Sequence, residues 1–206
     1  MPQPGAATSF RSSDPPAWVL LDTLPHIGSH RNATAVSAIT SAGATIEVSV
    51  ALVYPPALSL CFVDCRPGPC PTAASEISGE PRVTGAGAGL VLLLRVTFAE
   101  RGDQGMFTDD IFVYRAGPGK PSLHRLPRPY PVRLFSEYVG VLAYGDGVSG
   151  EHYLVVVPQP RFEAGVWCKE YNLQVFSLAT ASWGTKVVRA ADDMGQVCWL
   201  CTSPPR

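Results

Sequence analysis

This sequence lacks an excess of either positive or negative charge. The 206 residues carry 16 Lys and Arg against 17 Asp and Glu, which gives a net charge of -1, and no segment concentrates basic residues. Proteins that bind nucleic acids or anionic membranes use a concentrated positive surface. We therefore expect neither nucleic acid nor membrane among the partners of this protein.

Long apolar runs are equally scarce. The longest uninterrupted aliphatic run is LVLLL at residues 90–94, whereas a membrane-spanning helix needs roughly 20 apolar residues. The N-terminus has no basic start followed by an apolar core, so it does not predict a secretory signal. We expect a cytoplasmic or nuclear protein with a flexible leader over residues 1–16. An organellar transit peptide is the alternative, because the first acidic residue is Asp14.

The sequence also has few segments without proline or glycine that are long enough to form a helix, because 20 prolines and 19 glycines fall at short intervals along the chain. Proline breaks a helix interior and glycine weakens it. The segments between them are short and rich in Val, Leu, Ile and aromatic residues, which is typical of strands. We predict an all-β fold with little helix, of antiparallel strands in a partial propeller-like or open two-layer sheet arrangement. The predicted strands are 18–21, 35–40, 45–52, 58–63, 90–98, 111–115, 123–126, 139–144, 153–157, 173–177 and 185–188.

Two features indicate that these strands follow one another as antiparallel neighbours. Residues 35–52 have the pattern of a hairpin, with Ser41, Ala42 and Gly43 at the turn and apolar residues alternating after it. The segments DIFVYRAGPGKPSLHRL and NLQVFSLATASWGTKVV each combine a strand, a polar turn and a second strand, and their Val113 and Val175 stand 62 residues apart. Such units build propeller blades and β-sandwiches. We expect one β-rich domain over residues 17–190 and an irregular tail over residues 191–206.

A glycine-rich stretch resembles a dinucleotide-binding loop. AYGDGVSGEHYLVVV matches G-x-G-x-x-G at Gly145, Gly147 and Gly150. That site needs a helix to begin at the loop, since the helix N-terminus holds the pyrophosphate. A β-rich run follows instead, so we interpret the stretch as a hairpin loop and predict no cofactor. We interpret a second cluster, GAGAG at residues 85–89, as another turn.

The cysteines do not form a recognisable metal site. Cys198 and Cys201 form a CxxC pair, which is a strong zinc signal when a second pair accompanies it. Cys61, Cys65 and Cys70 have looser spacings, although Cys61 and Cys65 would share one face of a strand. We interpret the cysteines mostly as buried thiols; a zinc site is the alternative.

Other reactive side chains are scattered. The four histidines lie in separate loops or at strand edges, and the adjacent pairs Asp109-Asp110 and Asp192-Asp193 point to opposite faces of an extended chain. We interpret these acids as turn or strand-end residues, and we expect Trp183 to cover a sheet face. No catalytic, cofactor-binding or metal-binding residue is predicted. The histidines are His26, His30, His124 and His152.

Several short segments, taken in their order, resemble the plant family filed as domain of unknown function 1618, which is much expanded in grasses. The resemblance implies a plant origin and a β-rich fold, and it implies no activity at any residue. The segments are WVLLD at 18–22, RNAT at 31–34, PPALS at 55–59, FVYRAG at 112–117 with PSL at 121–123, and LQVFS at 173–177 with Trp183.

Two functions remain open at this point. The first is a non-catalytic β-rich interaction module that grips a protein partner with loops at one end of its sheets. The alternative is a small-molecule-binding protein or hydrolase, with a site built from His124, His152 and nearby acids. A deep pocket that brings these groups within about 4 Å would favour the alternative.

Overall fold

The computed structural model describes residues 18–67, 77–87, 90–99, 107–116, 121–127, 139–144, 152–163 and 166–189. Within these residues all helices are absent and the regular elements are strands, which confirms the all-β class. The strands form three open sheets whose pairing is almost entirely antiparallel. The predicted leader over 1–16 and the tail over 191–206 lie outside the described residues.

The first sheet contains the predicted hairpin. It is built from β1 (Leu20–Leu21), β2 (His26–Ile27), β3 (Val36–Ile39), β4 (Thr45–Ala51) and β5 (Leu58–Arg66). β3, β4 and β5 pair antiparallel in sequence order, whereas β1 and β2 both pair parallel to β5. Gly43 sits in the β3–β4 turn with φ 77°, a conformation that glycine adopts at little cost.

The second and third sheets have the same four-stranded organisation. The second contains β6 (Arg82–Gly87), β7 (Val91–Ala99), β8 (Phe107–Arg115) and β9 (Ser122–Arg125). The third contains β10 (Gly140–Tyr144), β11 (His152–Glu163), β12 (Val166–Ser177) and β13 (Ser182–Arg189). Each sheet joins its strands antiparallel in sequence order. Val113 and Val175 both lie on the third strand of their sheet, which confirms the internal repeat predicted from the sequence.

The second sheet lies between the other two and is buried on both faces. Leu92 and Leu94 of β7 pack toward the first sheet, whereas Val91 and Leu93 pack toward the third. A strand covered on both sides needs apolar residues at every position, which explains the uninterrupted run LVLLL. The two hydrophobic clusters together form the core. The first contains Ile46, Val48, Val50, Cys61, Val63, Leu92, Leu94, Val96, Phe98, Phe112, Tyr114 and Leu123; the second contains Val91, Leu93, Ile111, Val113, Leu126, Val139, Val141, Tyr153, Val155, Val157 and Phe176.

The GAGAG segment corrects one prediction. Gly85 and Gly87 belong to strand β6 and not to a turn; Gly89 lies outside the described residues. A Cβ on Gly85 would stand 2.9 Å from the carbonyl oxygen of Val139, and one on Gly87 would stand 3.1 Å from that of Val141. Glycine is used here because the backbones of β6 and β10 approach each other closely.

Strand β11 also departs from its prediction, because it continues past Val157 to Glu163 through Pro158 and Pro160. Proline cannot donate a ladder hydrogen bond and is tolerated where one edge of a strand is open. The neighbouring strand β10 pairs with β11 only as far as Val156. Both prolines therefore lie where β11 has no described neighbour on that side, and a register shift follows Pro160.

Candidate functional site

A cleft of about 560 Å³ opens between the second and third sheets. Its floor is made of side chains from both sheets that belong to the core. Val113 and Leu126 come from the second sheet, and Tyr153 and Phe176 come from the third; each is less than 5% exposed. The floor is therefore apolar, with one phenol ring contributed by Tyr153.

Polar residues of the β8–β9 ribbon line one wall of this cleft. Arg115 pairs with Ser122 and Val113 pairs with His124, so the register carries all four to the same region of the sheet. His124 is exposed and Arg115 is partly buried. The guanidinium carbon of Arg115 lies 5.8 Å from the centre of the Tyr153 ring, a cation–π arrangement that joins the two sheets.

The opposite wall is the turn between β12 and β13. Leu178, Ala179 and Ala181 line the cleft there, and the backbone N–H of Leu178 donates to the carbonyl oxygen of Tyr153 at 3.2 Å. Ala181 has φ 50°, which a residue with a Cβ rarely adopts. The turn is thus held against the third sheet in a defined conformation.

Trp183 packs against Phe176 of the cleft floor and confirms its predicted role. Its ring packs 5.3 Å from that of Phe176, centre to centre. Its indole Nε1–H donates to the carbonyl oxygen of Pro127 at 3.4 Å, although this hydrogen bond is exposed. Trp183 therefore covers a face of the third sheet and links it to the end of β9.

His26 and His30 lie on a different sheet from His124. His124 lines the cleft, while His26 and His30 lie on the first sheet, where their ring centres stand 5.6 Å and 4.5 Å from that of Phe62. His152 is the first residue of β11, next to Tyr153 in the cleft floor. Of the two histidines that the sequence proposed for one site, His124 lies in the cleft, apart from His26 and His30, and the side chain of His152 lies outside the described residues.

The acids of β8 correct a second prediction. Asp109 and Asp110 lie inside the strand and not at a turn or strand end. Asp109 accepts a hydrogen bond from the Thr97 hydroxyl at 2.6 Å. Asp110 is fully buried and accepts one from the backbone N–H of Ser41 at 2.6 Å, with Arg125 Nη1 at 3.9 Å. Asp192 and Asp193 lie outside the described residues.

Asp110 does not share the cleft with His124. Phe112 and Tyr114, which lie on the same side of β8 as Asp110, pack toward the first sheet. His124 is paired with Val113, which packs toward the third sheet. The sequence could not have predicted that Asp110 is buried and hydrogen-bonded, because its partner in the β3–β4 turn is 69 residues away.

Cys61 is a buried thiol and Cys65 is a partly buried one. Burial raises the pKa of Cys61 to about 12, and burial together with the neighbouring charge of Asp64 raises the pKa of Cys65. Thiols with raised pKa values stay protonated at neutral pH, whereas metal ligation and nucleophilic attack need the thiolate. No group of three or more metal-ligating side chains exists among the residues that the structure describes. Cys70, Cys198 and Cys201 lie outside them.

The glycine-rich loop at 145–150 also lies outside the described residues, but the strands on either side are described. Tyr144 and His152 are opposite each other in the antiparallel pair of β10 and β11. The element after the loop is therefore a strand, as predicted, and not the helix that a dinucleotide site requires.

Comparison with known proteins gives no further assignment. No family model, curated protein or solved structure matches this chain. The resemblance to the family of domain of unknown function 1618 thus stays a prediction. In the part of the chain that the structure describes, helices long and apolar enough to cross a membrane are absent.

Proposed function

We propose that the protein is a non-catalytic β-rich interaction module and that its recognition site is the cleft between the second and third sheets. One observation carries this proposal: cationic and hydrogen-bonding side chains stand beside an apolar floor. Arg115, Ser122 and His124 supply the polar wall, and Tyr153 and Phe176 supply much of the floor. A few convergent polar groups above an apolar surface are typical of binding sites.

The composition of the wall suggests what the partner presents. Arginine pairs preferentially with carboxylates, and histidine and serine can donate further hydrogen bonds to the same group. The acids at 109 and 110 are not among the residues that line the cleft in the described structure. We infer that the partner protein inserts an acidic side chain next to an aliphatic or aromatic one.

A second candidate is a protein that binds a small anionic molecule in the same cleft. The volume of about 560 Å³ favours this candidate, because small-molecule sites commonly measure about 300–1,000 Å³. A hydrolase would further need a carboxylate beside His124, and the nearby Asp110 faces the first sheet instead.

We further propose that the three sheets are successive blades of a partial propeller-like array in a plant protein of the cytoplasm or nucleus. Contacts of β6 with both neighbouring sheets support the array. The N–H of Val83 donates to the carbonyl oxygen of Thr23 beside the first sheet at 2.9 Å, and Gly85 and Gly87 lie against the β10 region of the third sheet. An experimental structure in which β6 and β10 are separated would refute it. Imaging of a fluorescent fusion in plant cells would test the location.

Peptide selection tests the recognition site directly. Purified protein would be used to select binders from a random peptide library, and the affinity of the selected peptides would be measured by fluorescence polarisation. We expect enrichment of Asp or Glu next to an apolar residue. Replacing His124 by glutamate should weaken binding about tenfold or more, since a hydrogen bond to a charged group contributes about 1.5–3 kcal/mol and 1.4 kcal/mol is tenfold.

The matched control is His26→Glu, which places the same charge at an exposed histidine of the first sheet. It should leave the affinity unchanged. Selected peptides without an acidic residue, or equal losses in both variants, would contradict the proposed site. Binding of small organic acids at His124 in the absence of any selected peptide would instead favour the second candidate.

A further inference from the structure

Two arginines face each other across the first two strands of the second sheet. Arg82 of β6 and Arg95 of β7 are cross-strand partners, so their side chains leave the same face. A register shift between Val83 and Gly85 lies directly after this pair. Arg95 also pairs with Ile111, which packs toward the third sheet. Both arginine side chains therefore leave the sheet on the face that meets the third sheet.

The hydrogen bonding of this pair is incomplete. The Nε of Arg95 is buried and has no hydrogen-bond acceptor within the described structure. Arg82 has a loose ion pair with Glu80, whose Oε2 lies 3.9 Å from its Nη2, and both side chains are more than half exposed. Exposed ion pairs of this kind contribute little. An unsatisfied buried donor and two like charges opposite each other are both destabilising.

We propose that Arg82 and Arg95 form a binding site for a phosphate group. A single oxyanion can accept the free Nε–H of Arg95 and balance both positive charges. Phosphate fits this arrangement because it carries up to two negative charges at neutral pH and because the planar guanidinium donates paired hydrogen bonds to its oxygens. The partial exposure of Arg82 leaves the group a route to solvent.

This site is separate from the cleft of the proposed function. β6 lies at the opposite edge of the second sheet from β9, which carries Ser122 and His124. Along the strands, Arg95 is opposite Ile111, whereas the cleft begins at Val113. The two sites can therefore be tested independently.

Thermal unfolding of the full chain with increasing inorganic phosphate tests the proposal, with sodium chloride holding the ionic strength constant. Phosphate also stabilises proteins by exclusion from their surface, so the variant Arg95→Met provides the baseline. We expect a saturable rise in the Tm of the wild type and a loss of that saturable part in R95M. Without phosphate, R95M should unfold at the same temperature as the wild type or higher, because it removes the unsatisfied Nε.

The matched control is Arg161→Met, since Arg161 lies in the third sheet and pairs with Glu170 at 3.0 Å. It should keep the phosphate response. Should R95M fail to fold, the exposed Arg82→Gln substitution tests the same site, with an expected rise of at least tenfold in the phosphate Kd measured by calorimetry. A saturable response that survives in R95M or R82Q, or its absence from the wild type, would overturn the proposal.

Glycerol 2-phosphate, used in the same assay, identifies the source of the phosphate group. An equal response to this monoester and to inorganic phosphate would show that the site accepts phosphate carried on a larger molecule. A response to inorganic phosphate alone would show a site for the free ion. Both results support the site, and both require Arg95.

Discussion

Replacing Gly85 by alanine tests the closest approach between two sheets. The added methyl group would stand 2.9 Å from the carbonyl oxygen of Val139, about 0.5 Å inside ordinary van der Waals contact. This oxygen is a backbone atom of the residue that precedes β10, so relief requires β6 and the start of β10 to move apart. Overpacking of this kind costs about 1–3 kcal/mol, and we expect Gly85→Ala to lie near 3 kcal/mol.

Urea unfolding followed by circular dichroism measures this change as a lower midpoint at unchanged slope. In a thermal scan the same change should lower the Tm by about 6 to 12 °C, since 1 kcal/mol shifts the Tm of a chain of this size by about 2–4 °C. Gly87→Ala should cost less, about 1 kcal/mol, because its methyl group would stand 3.1 Å from the carbonyl oxygen of Val141.

Gly140 supplies the matched control, because it lies between Val139 and Val141 on the facing strand. A Cβ at Gly140 would meet no atom within 4 Å. Gly140→Ala should leave the stability unchanged or raise it by about 0.4–1 kcal/mol, since alanine restricts the unfolded chain. If Gly85→Ala and Gly140→Ala unfold at the same urea concentration, the inferred contact between the β6 and β10 backbones is wrong.

Two further predictions concern buried ionisable groups. Asp110→Ala should lower the free energy of unfolding by about 3 kcal/mol in urea titration, because it removes a fully buried carboxylate that accepts a short hydrogen bond from the N–H of Ser41. Asp64→Ala, which removes a partly exposed ion pair, should cost less than about 1 kcal/mol; equal losses would refute the role of Asp110. Burial raises the pKa of Cys61 and of Tyr114 to about 12, so the unfolded chain loses these protons first as pH rises and stability should fall above about pH 9. Unfolding measured from pH 8 to 10.5 should show this fall, and Cys61→Ala should reduce its slope; an unchanged slope would contradict the assignment to Cys61.

Strands with a strong local pattern could be predicted from the sequence. β4 alternates apolar and polar residues in its first half, and β7 begins with a continuous aliphatic run; the predicted limits of both lie within one residue of those observed. These strands are predictable because a strand buried on one face alternates apolar and polar residues, whereas a strand buried on both faces is continuously apolar.

Strand β6 and the end of β11 were missed for a tertiary reason. Glycine and proline usually mark turns, but Gly85 and Gly87 lie in a strand because of their contact with β10. Pro158 and Pro160 are tolerated because the pairing of β11 with β10 ends at Val156 of β11. The deciding neighbour lies more than 50 residues away from Gly85, so no window of sequence around it contains the information.

The cleft was not predictable for the same reason. Its residues extend from Val113 to Ala181 along the chain, and none belongs to a recognised catalytic motif. The sequence did single out His124, and the structure places it in the cleft. It did not single out Arg115, whose role depends on the position of Tyr153 in another sheet.

The packing of the second sheet on the third connects these observations. At the β6–β10 edge the two sheets nearly touch, because Gly85 and Gly87 have no side chains. At the other edge, formed by β9 and the β12–β13 turn, the sheets are far enough apart to leave the cleft. The close packing at the glycines therefore determines how the two sheets lie against each other, and hence the width of the cleft beside His124. A substitution such as Gly87→Ala, which widens the narrow edge without unfolding the protein, should change the shape of the cleft and reduce peptide affinity although it lies on a different strand from every cleft residue.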